Sequence, residues 1–149
     1  MKIFIDADGC PVVDITVKIC KENGIECIIV TDTSHVFNKP NATTLTVSKG
    51  ADSVDFALVN MLSKGDIAVT QDYGLAAMCL SKQAFPISQN GMIYNDFNIG
   101  SLLQARYTAK KLRQSGKHHL KGPGKRTPQQ DKDYEKSLQA LITQLNGNG

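Results

Sequence analysis

The chain has 149 residues, 41% of them hydrophobic and 21% charged, and carries a formal net charge of +3. That length suits one domain with one core, and the composition is that of an ordinary globular protein, which excludes disordered, collagenous and disulfide-scaffold classes. No apolar run approaches the roughly 20 residues of a membrane span, and no basic-then-apolar leader precedes the first strand-like run, so a cytoplasmic protein without a membrane partner is expected.

The predicted elements begin with Ile3-Phe4-Ile5, a short β-favouring run that reads as a buried strand and ends in Asp6-Ala7-Asp8. Pro11 suits the first turn of a helix that runs to Asn23 and stops at Gly24. Glu26 to Thr31 reads as a second buried strand, and Asp32 to Thr43 as a polar loop. Thr44 to Ser48 reads as a short third strand. Ala51 to Lys64 is an amphipathic helix with Val54, Leu58, Met61 and Leu62 on one face. The strand Ile67 to Thr70 runs into Gln71-Asp72, and a helix follows from Tyr73 to Lys82. Phe85 to Ser88 is strand-like, and Asn90-Gly91 predicts a hairpin returning through Met92-Ile93-Tyr94. Asn98 to Arg113 is helical, 115–127 is a Gly-, Lys- and His-rich loop, and Thr127-Pro128-Gln129-Gln130 starts a last helix, 128–145, that docks back on the body. Strands alternating with helices predict an α/β domain spanning 1–149, three-layered, with a mostly parallel central sheet.

Both Ile3–Ile5 and Ile67–Thr70 run into carboxylates at their C-terminal ends, the edge where open α/β sheets bind ligands. Asp6 and Asp8 are two apart and would share a side if the strand continued, while Asp52 and Asp55 are neighbours on one helix face. Acids gathered without an equal number of cations repel, and a divalent ion is the usual relief. Asp6, Asp52, Asp55 and Asp72 are therefore the candidate ligands of one or two Mg²⁺ or Mn²⁺ ions, with Asp8 as a further ligand or an orienter of water. Each acid also has a plain structural reading. Asp52 and Asp72 stand where helix caps belong, Asp55 favours the positive end of a helix dipole, and Asp8-Gly9 is a turn pair. Asp6 interrupts a buried strand and is the hardest to explain structurally. Asp32, after the second strand, is held in reserve.

From Arg106 to Arg126 there are eight Lys or Arg and no acid, leaving the remainder of the chain at −5. Nucleic acid is the obvious polyanion for such an arm, with Arg113, Lys121, Lys125 and Arg126 as phosphate contacts; a solvated charge run is the structural alternative. Adjacent His118 and His119 seldom chelate one ion. The cysteines at 10, 20, 27 and 79 form no C-x-x-C pair and are expected to be reduced.

Phe4-Ile5-Asp6-Ala7-Asp8-Gly9-Cys10-Pro11-Val12, Lys49-Gly50-Ala51-Asp52 with Asp55, Thr70-Gln71-Asp72-Tyr73-Gly74-Leu75-Ala76 and Gly122-Pro123-Gly124-Lys125-Arg126-Thr127, in that order, resemble the YaiI/YqxD family of small bacterial proteins. The resemblance implies a PIN-like fold, that of metal-dependent nucleases. Within it Asp6 matches the acid after the first strand, Asp52 or Asp55 the central-helix acid, and Thr70 to Asp72 the Thr-x-Asp after a later strand. The implied function is a metal-dependent nuclease or phosphodiesterase acting on RNA or another nucleic acid. Two alternatives stand beside it. Asp6-Ala7-Asp8 resembles the opening of haloacid-dehalogenase-type phosphatases, with Asp6 as nucleophile and Asp8 as general acid. A non-catalytic nucleic-acid-binding protein on a PIN-like scaffold would need only the basic arm.

Overall fold

The computed structural model describes residues 1–50, 52–116 and 124–147. Ala51, His118, His119, Lys121, Gly122 and Pro123, named above, lie outside them. Among the described residues the order is β1 (Lys2–Asp6), α1 (Val13–Asn23), β2 (Glu26–Asp32), β3 (Thr43–Val47), α2 (Ser53–Met61), β4 (Ile67–Val69), α3 (Tyr73–Ser81), β5 (Phe85–Ile87), α4 (Ile99–Ser115) and α5 (Pro128–Gly147). The strands form one sheet in the order β3-β2-β1-β4-β5, and every strand pair is parallel.

Strand periodicity divides the core in two. Ile3, Ile5, Cys27, Ile29, Ile67 and Val69 face α1 and α5, where Val13, Val17, Leu138 and Ile142 meet them. Phe4, Ile28, Val30 and Ala68 face the other way, against Leu58 of α2 and Leu75 and Cys79 of α3. The central strands are apolar on both faces, as a covered parallel sheet requires. Tyr134 of α5 is fully buried, and its hydroxyl pairs with Thr16 of α1 at 2.6 Å, which anchors the last helix to the first. A reciprocal capping pair starts α5: Thr127 N donates to Gln130 Oε1 at 2.8 Å, and Gln130 N to Thr127 Oγ1 at 3.4 Å.

Several expected boundaries shift. Helix α2 ends at Met61, because Leu62 turns extended (ψ 137°) to enter the core, leaving Met61 at the surface. The predicted hairpin is present only as one antiparallel bridge, Ile87 to Ile93, closed by Ser88 N donating to Met92 O at 2.9 Å and Tyr94 N to Pro86 O at 3.1 Å, while the Tyr94 hydroxyl reaches Thr70 O at 3.1 Å. Helix α5 continues to Gly147, past the expected end at 145. All four cysteines are free. No helix among the described residues is long and apolar enough to cross a membrane.

The chain folds back against α5 at Gly91. There φ is +89°, and a Cβ would lie 2.8 Å from Ser137 Cβ and 2.9 Å from Asp133 O. Gly65 has a similar φ, +87°, with open space around it. Gly91→Ala is expected to destabilise the protein by about 3 kcal/mol, strain and clash together. Gly65→Ala should cost roughly 1 kcal/mol, from strain alone. Urea denaturation of the two variants measures the difference.

Candidate active site

The topology sets the site. The chain leaves β1 toward β2 on one side and leaves β4 toward β5 on the other. The loops after β1 and β4 therefore part company and open a crevice at the carboxyl edge of the sheet, the switch point where α/β folds bind ligands. Asp6 is the last residue of β1, and Asp72 follows β4 by a short step through Thr70 and Gln71. A cleft of about 480 Å³ occupies this position and is lined by Asp6, Asp8, Asp32, Asp52, Asp55 and Asp72, with Arg106 beside them.

Thr70 is the hub of the cleft floor. It is buried, its hydroxyl donates to Asp6 Oδ2 at 2.8 Å, and the same oxygen accepts the backbone N–H of Asp72 at 3.0 Å. Its carbonyl is held by Tyr94. Asp72 caps α3, its Oδ1 accepting from Gly74 N at 2.8 Å and Leu75 N at 3.1 Å. Among the described residues these bonds leave Asp6 Oδ1 and Asp72 Oδ2 without a hydrogen-bond donor. The structural and functional readings of Asp72 are thus both met: one oxygen caps, the other is available.

Asp55 enters from the first turn of α2 and is half-buried. Its carboxyl is pushed up to about 6, first by burial and then by the charges of Asp72, Asp6 and Asp52. Asp6 is raised as well, by burial ahead of the charges of Asp72 and Asp8, while the Thr70 hydrogen bond opposes the shift. The expected cap role of Asp52 is not realised. It sits at the N-cap of α2 with φ +61° and no side-chain cap bond, because a left-handed N-cap does not present its side chain to the first N–H groups as an extended one does. It is exposed at the rim.

The expectation that Asp6 and Asp8 point to one side along a continuing strand is also corrected. β1 ends at Asp6, Asp8 lies in the turn that follows, and its side chain is 78% exposed with Oδ1 3.0 Å from His35 Nε2. Both still line the cleft. Asp32, at the end of β2, is tied to the N–H and hydroxyl of Ser34, which hold its carboxyl below the usual range. Cys10 lines the cleft too, and burial pushes its thiol up.

The basic residues divide by position. Arg126 is tied to the body: its Nε donates to Asp131 at 2.7 Å, and its terminal nitrogens donate to Asn90 Oδ1 at 2.9 Å and Gln89 O at 2.8 Å. This clasp fastens the start of α5 to the turn that carries Gln89, a lining residue. Lys125 is exposed next to it, Arg113 is exposed on the last turn of α4, and Lys121 is outside the described residues. Among the described residues the cation that lines the cleft is Arg106, whose Nη1 lies 3.4 Å from Asp72 Oδ1. In the sequence Arg106 is one of eight basic residues, and the packing of α4 on α3 singles it out. Tyr73, the first residue of α3, also lines the cleft, and its place directly after Asp72 is the sequence signal for that position.

Hard oxygen donors with raised pKa values fit a divalent cation. Among the described residues, however, no three His, Cys, Asp or Glu side chains stand close enough to hold one ion together, so Asp6, Asp52, Asp55 and Asp72 are not a ready-made cage. Mg²⁺ asks for less: it is commonly held by one or two carboxylates and fills its remaining positions with water and phosphate oxygens. Asp6 with Asp72 or Asp55 fits that mode.

A family model described as "Uncharacterized BCR, YaiI/YqxD family" matches residues 4–144. A UPF0178 protein of Exiguobacterium sibiricum is 49% identical over 144 residues, covering 97% of this chain and 98% of its own. A UPF0178 protein of Clostridium acetobutylicum is 46% identical over 143 residues, covering 95% and 97%. Among solved structures, Rae1 (YacP) from Bacillus subtilis, as its W164L mutant, aligns over 100% of both chains with a TM-score of 0.46 and 10% identity. With a match over residues 4–144 and relatives of this identity along nearly the whole chain, the chain belongs to the YaiI/YqxD family.

Proposed function

We propose that the protein is a metal-dependent phosphodiesterase acting on nucleic acid, RNA first, with Mg²⁺ or Mn²⁺ at the switch-point cleft. The observation that carries this reading is the convergence of Asp6, Asp55 and Asp72 from three separate elements on one cleft, where the charge of Asp72 raises the carboxyls of both Asp6 and Asp55. Such a site is uncomfortable as free carboxylates and comfortable with a cation. A bound divalent ion supplies positive charge at the reacting phosphate and a more acidic water for attack. Asp6 and Asp72 would hold such an ion, and Thr70, bonded to the Asp6 carboxylate and the Asp72 N–H, keeps the two residues in fixed relation. Asp55, raised to about 6, accepts or returns a proton from its place in the cleft lining. Asp8, at the rim, orients water.

The phosphatase alternative draws less support, since Asp8 is turned toward His35 rather than held beside Asp6. The expected outcome is Mn²⁺-dependent cleavage of an RNA oligomer that falls at least about 100-fold in Asp6→Asn and in Asp72→Asn. Rapid turnover of p-nitrophenyl phosphate with a phosphoryl group trapped on Asp6 would reverse the assignment.

The raised pKa of Asp55 gives a second test. Its folded value of about 6 lies above the unfolded value of about 4, so the folded protein binds the proton more tightly and stability falls as pH rises through that interval. Asp55→Asn is expected to raise Tm at pH 8 by roughly 2 °C and to leave it little changed at pH 4. Mn²⁺ should raise the parent's Tm at pH 8 and do so less in the variant. A thermal scan in which Asp55→Asn lowers Tm equally at both pH values would contradict the electrostatic origin.

A further inference from the structure

Arg106 is not alone on its helix face. Leu102 lies one turn before it and is half-buried; Lys110 and Arg113 follow at i+4 and i+7 and are exposed. Helix α4 has no buried residue at all, so beyond its contact with α3 it stands off the body. The face that lowers Arg106 into the acidic cleft thus continues outward as a basic row about 10 Å long, from the rise per residue. Its opening onto the carboxylates is shaped by Gly74, where a Cβ would lie 3.2 Å from Asp72 Oδ1 and 3.9 Å from Arg106 Nη1. The Arg106–Asp72 contact is long, and the arginine side chain is 58% exposed, so the guanidinium is free to exchange a carboxylate for a phosphate.

An aromatic ring stands at the junction. Tyr73 lines the cleft and packs edge-on against Tyr94, with centroids 5.9 Å apart and planes at 64°. Tyr94 is buried and fixed by its bond to Thr70 O, so the Tyr73 ring is braced from behind. A row of cations leading to a braced aromatic is the combination that binds single strands, whose bases are free to stack; a duplex hides its base faces. We propose that Arg106, Lys110 and Arg113 form a phosphate track for a single-stranded polynucleotide, which feeds one phosphate to the carboxylates while the adjoining base stacks on Tyr73. The proposal rests on the phosphodiesterase reading of the cleft and names the form of its substrate.

The test is fluorescence anisotropy in EDTA, where turnover is absent, with a labelled 12-nucleotide oligouridylate against an RNA duplex of equal length. The single strand is expected to bind more tightly. Lys110→Ala/Arg113→Ala, remote from the carboxylates, should weaken binding about 10-fold and reduce the slope of log affinity on log salt by about 1.4. Tyr73→Leu should weaken it about 10-fold with the slope unchanged, and Tyr73→Phe should restore it. Lys132→Ala/Lys136→Ala on α5, which packs on the opposite face of the sheet, serves as the control and should bind like the parent. Equal or tighter duplex binding, or a Lys110/Arg113 variant that keeps the parent's affinity and salt slope, overturns the track. Track-dependent binding without cleavage in Mn²⁺ would instead leave the track standing and remove the phosphodiesterase reading.

Discussion

Thr70 is the residue on which the rest of the site depends. Two neighbouring parallel strands whose connections leave in opposite directions bring Asp6, at the end of β1, and Asp72, just after β4, to one edge, and like charges so placed would spread apart if nothing opposed them. A single buried hydroxyl, donating to one acid and accepting the backbone N–H of the other, holds them in register. The α3 cap then fixes Asp72 from the far side, and Tyr94 holds the Thr70 carbonyl. The cost of the arrangement appears in the raised pKa values of Asp6 and Asp55, both led by burial. Electrostatic discomfort that the fold actively maintains, rather than relaxes, is the feature a structural explanation of these acids leaves unaccounted for.

The two layers of helices have different tasks. α1 and α5 close one face of the sheet, and the Tyr134–Thr16 bond and the Arg126 clasp secure that closure. The opposite layer lines the cleft: α2 supplies Asp55, α3 is capped by Asp72, and α4 brings Arg106 to Asp72 at the start of α3. Part of the basic arm is thereby structural. Arg126 belongs to the closing layer, while Arg106 belongs to the cleft.

Much of this was legible in the sequence. Apolar runs short enough to be strands, each ending in acid, identified both the parallel sheet and the edge where Asp6 and Asp72 stand, since burial on both faces leaves little choice of residue. The reading of Asp72 as a cap was right, and so was its place at the edge, because a carboxylate has two oxygens. The failures lay where tertiary contacts override local pattern. Asp52 stood at a cap position but adopts a left-handed backbone conformation, and the return at Asn90-Gly91 is present but pairs with β5 through a single bridge. Arg106 and Arg126 carry the same charge in the same basic run, and nothing local separates the one that enters the cleft from the one that fastens a helix.

Crystals grown or soaked in Mn²⁺ and measured at the manganese absorption edge put the cation directly to the test. An anomalous peak in the cleft, in contact with Asp6 and with Asp72 or Asp55 and lost in crystals of Asp6→Asn, is the result predicted. Well-ordered crystals with no anomalous density among these carboxylates at saturating Mn²⁺, their side chains satisfied by protein and water alone, would contradict it.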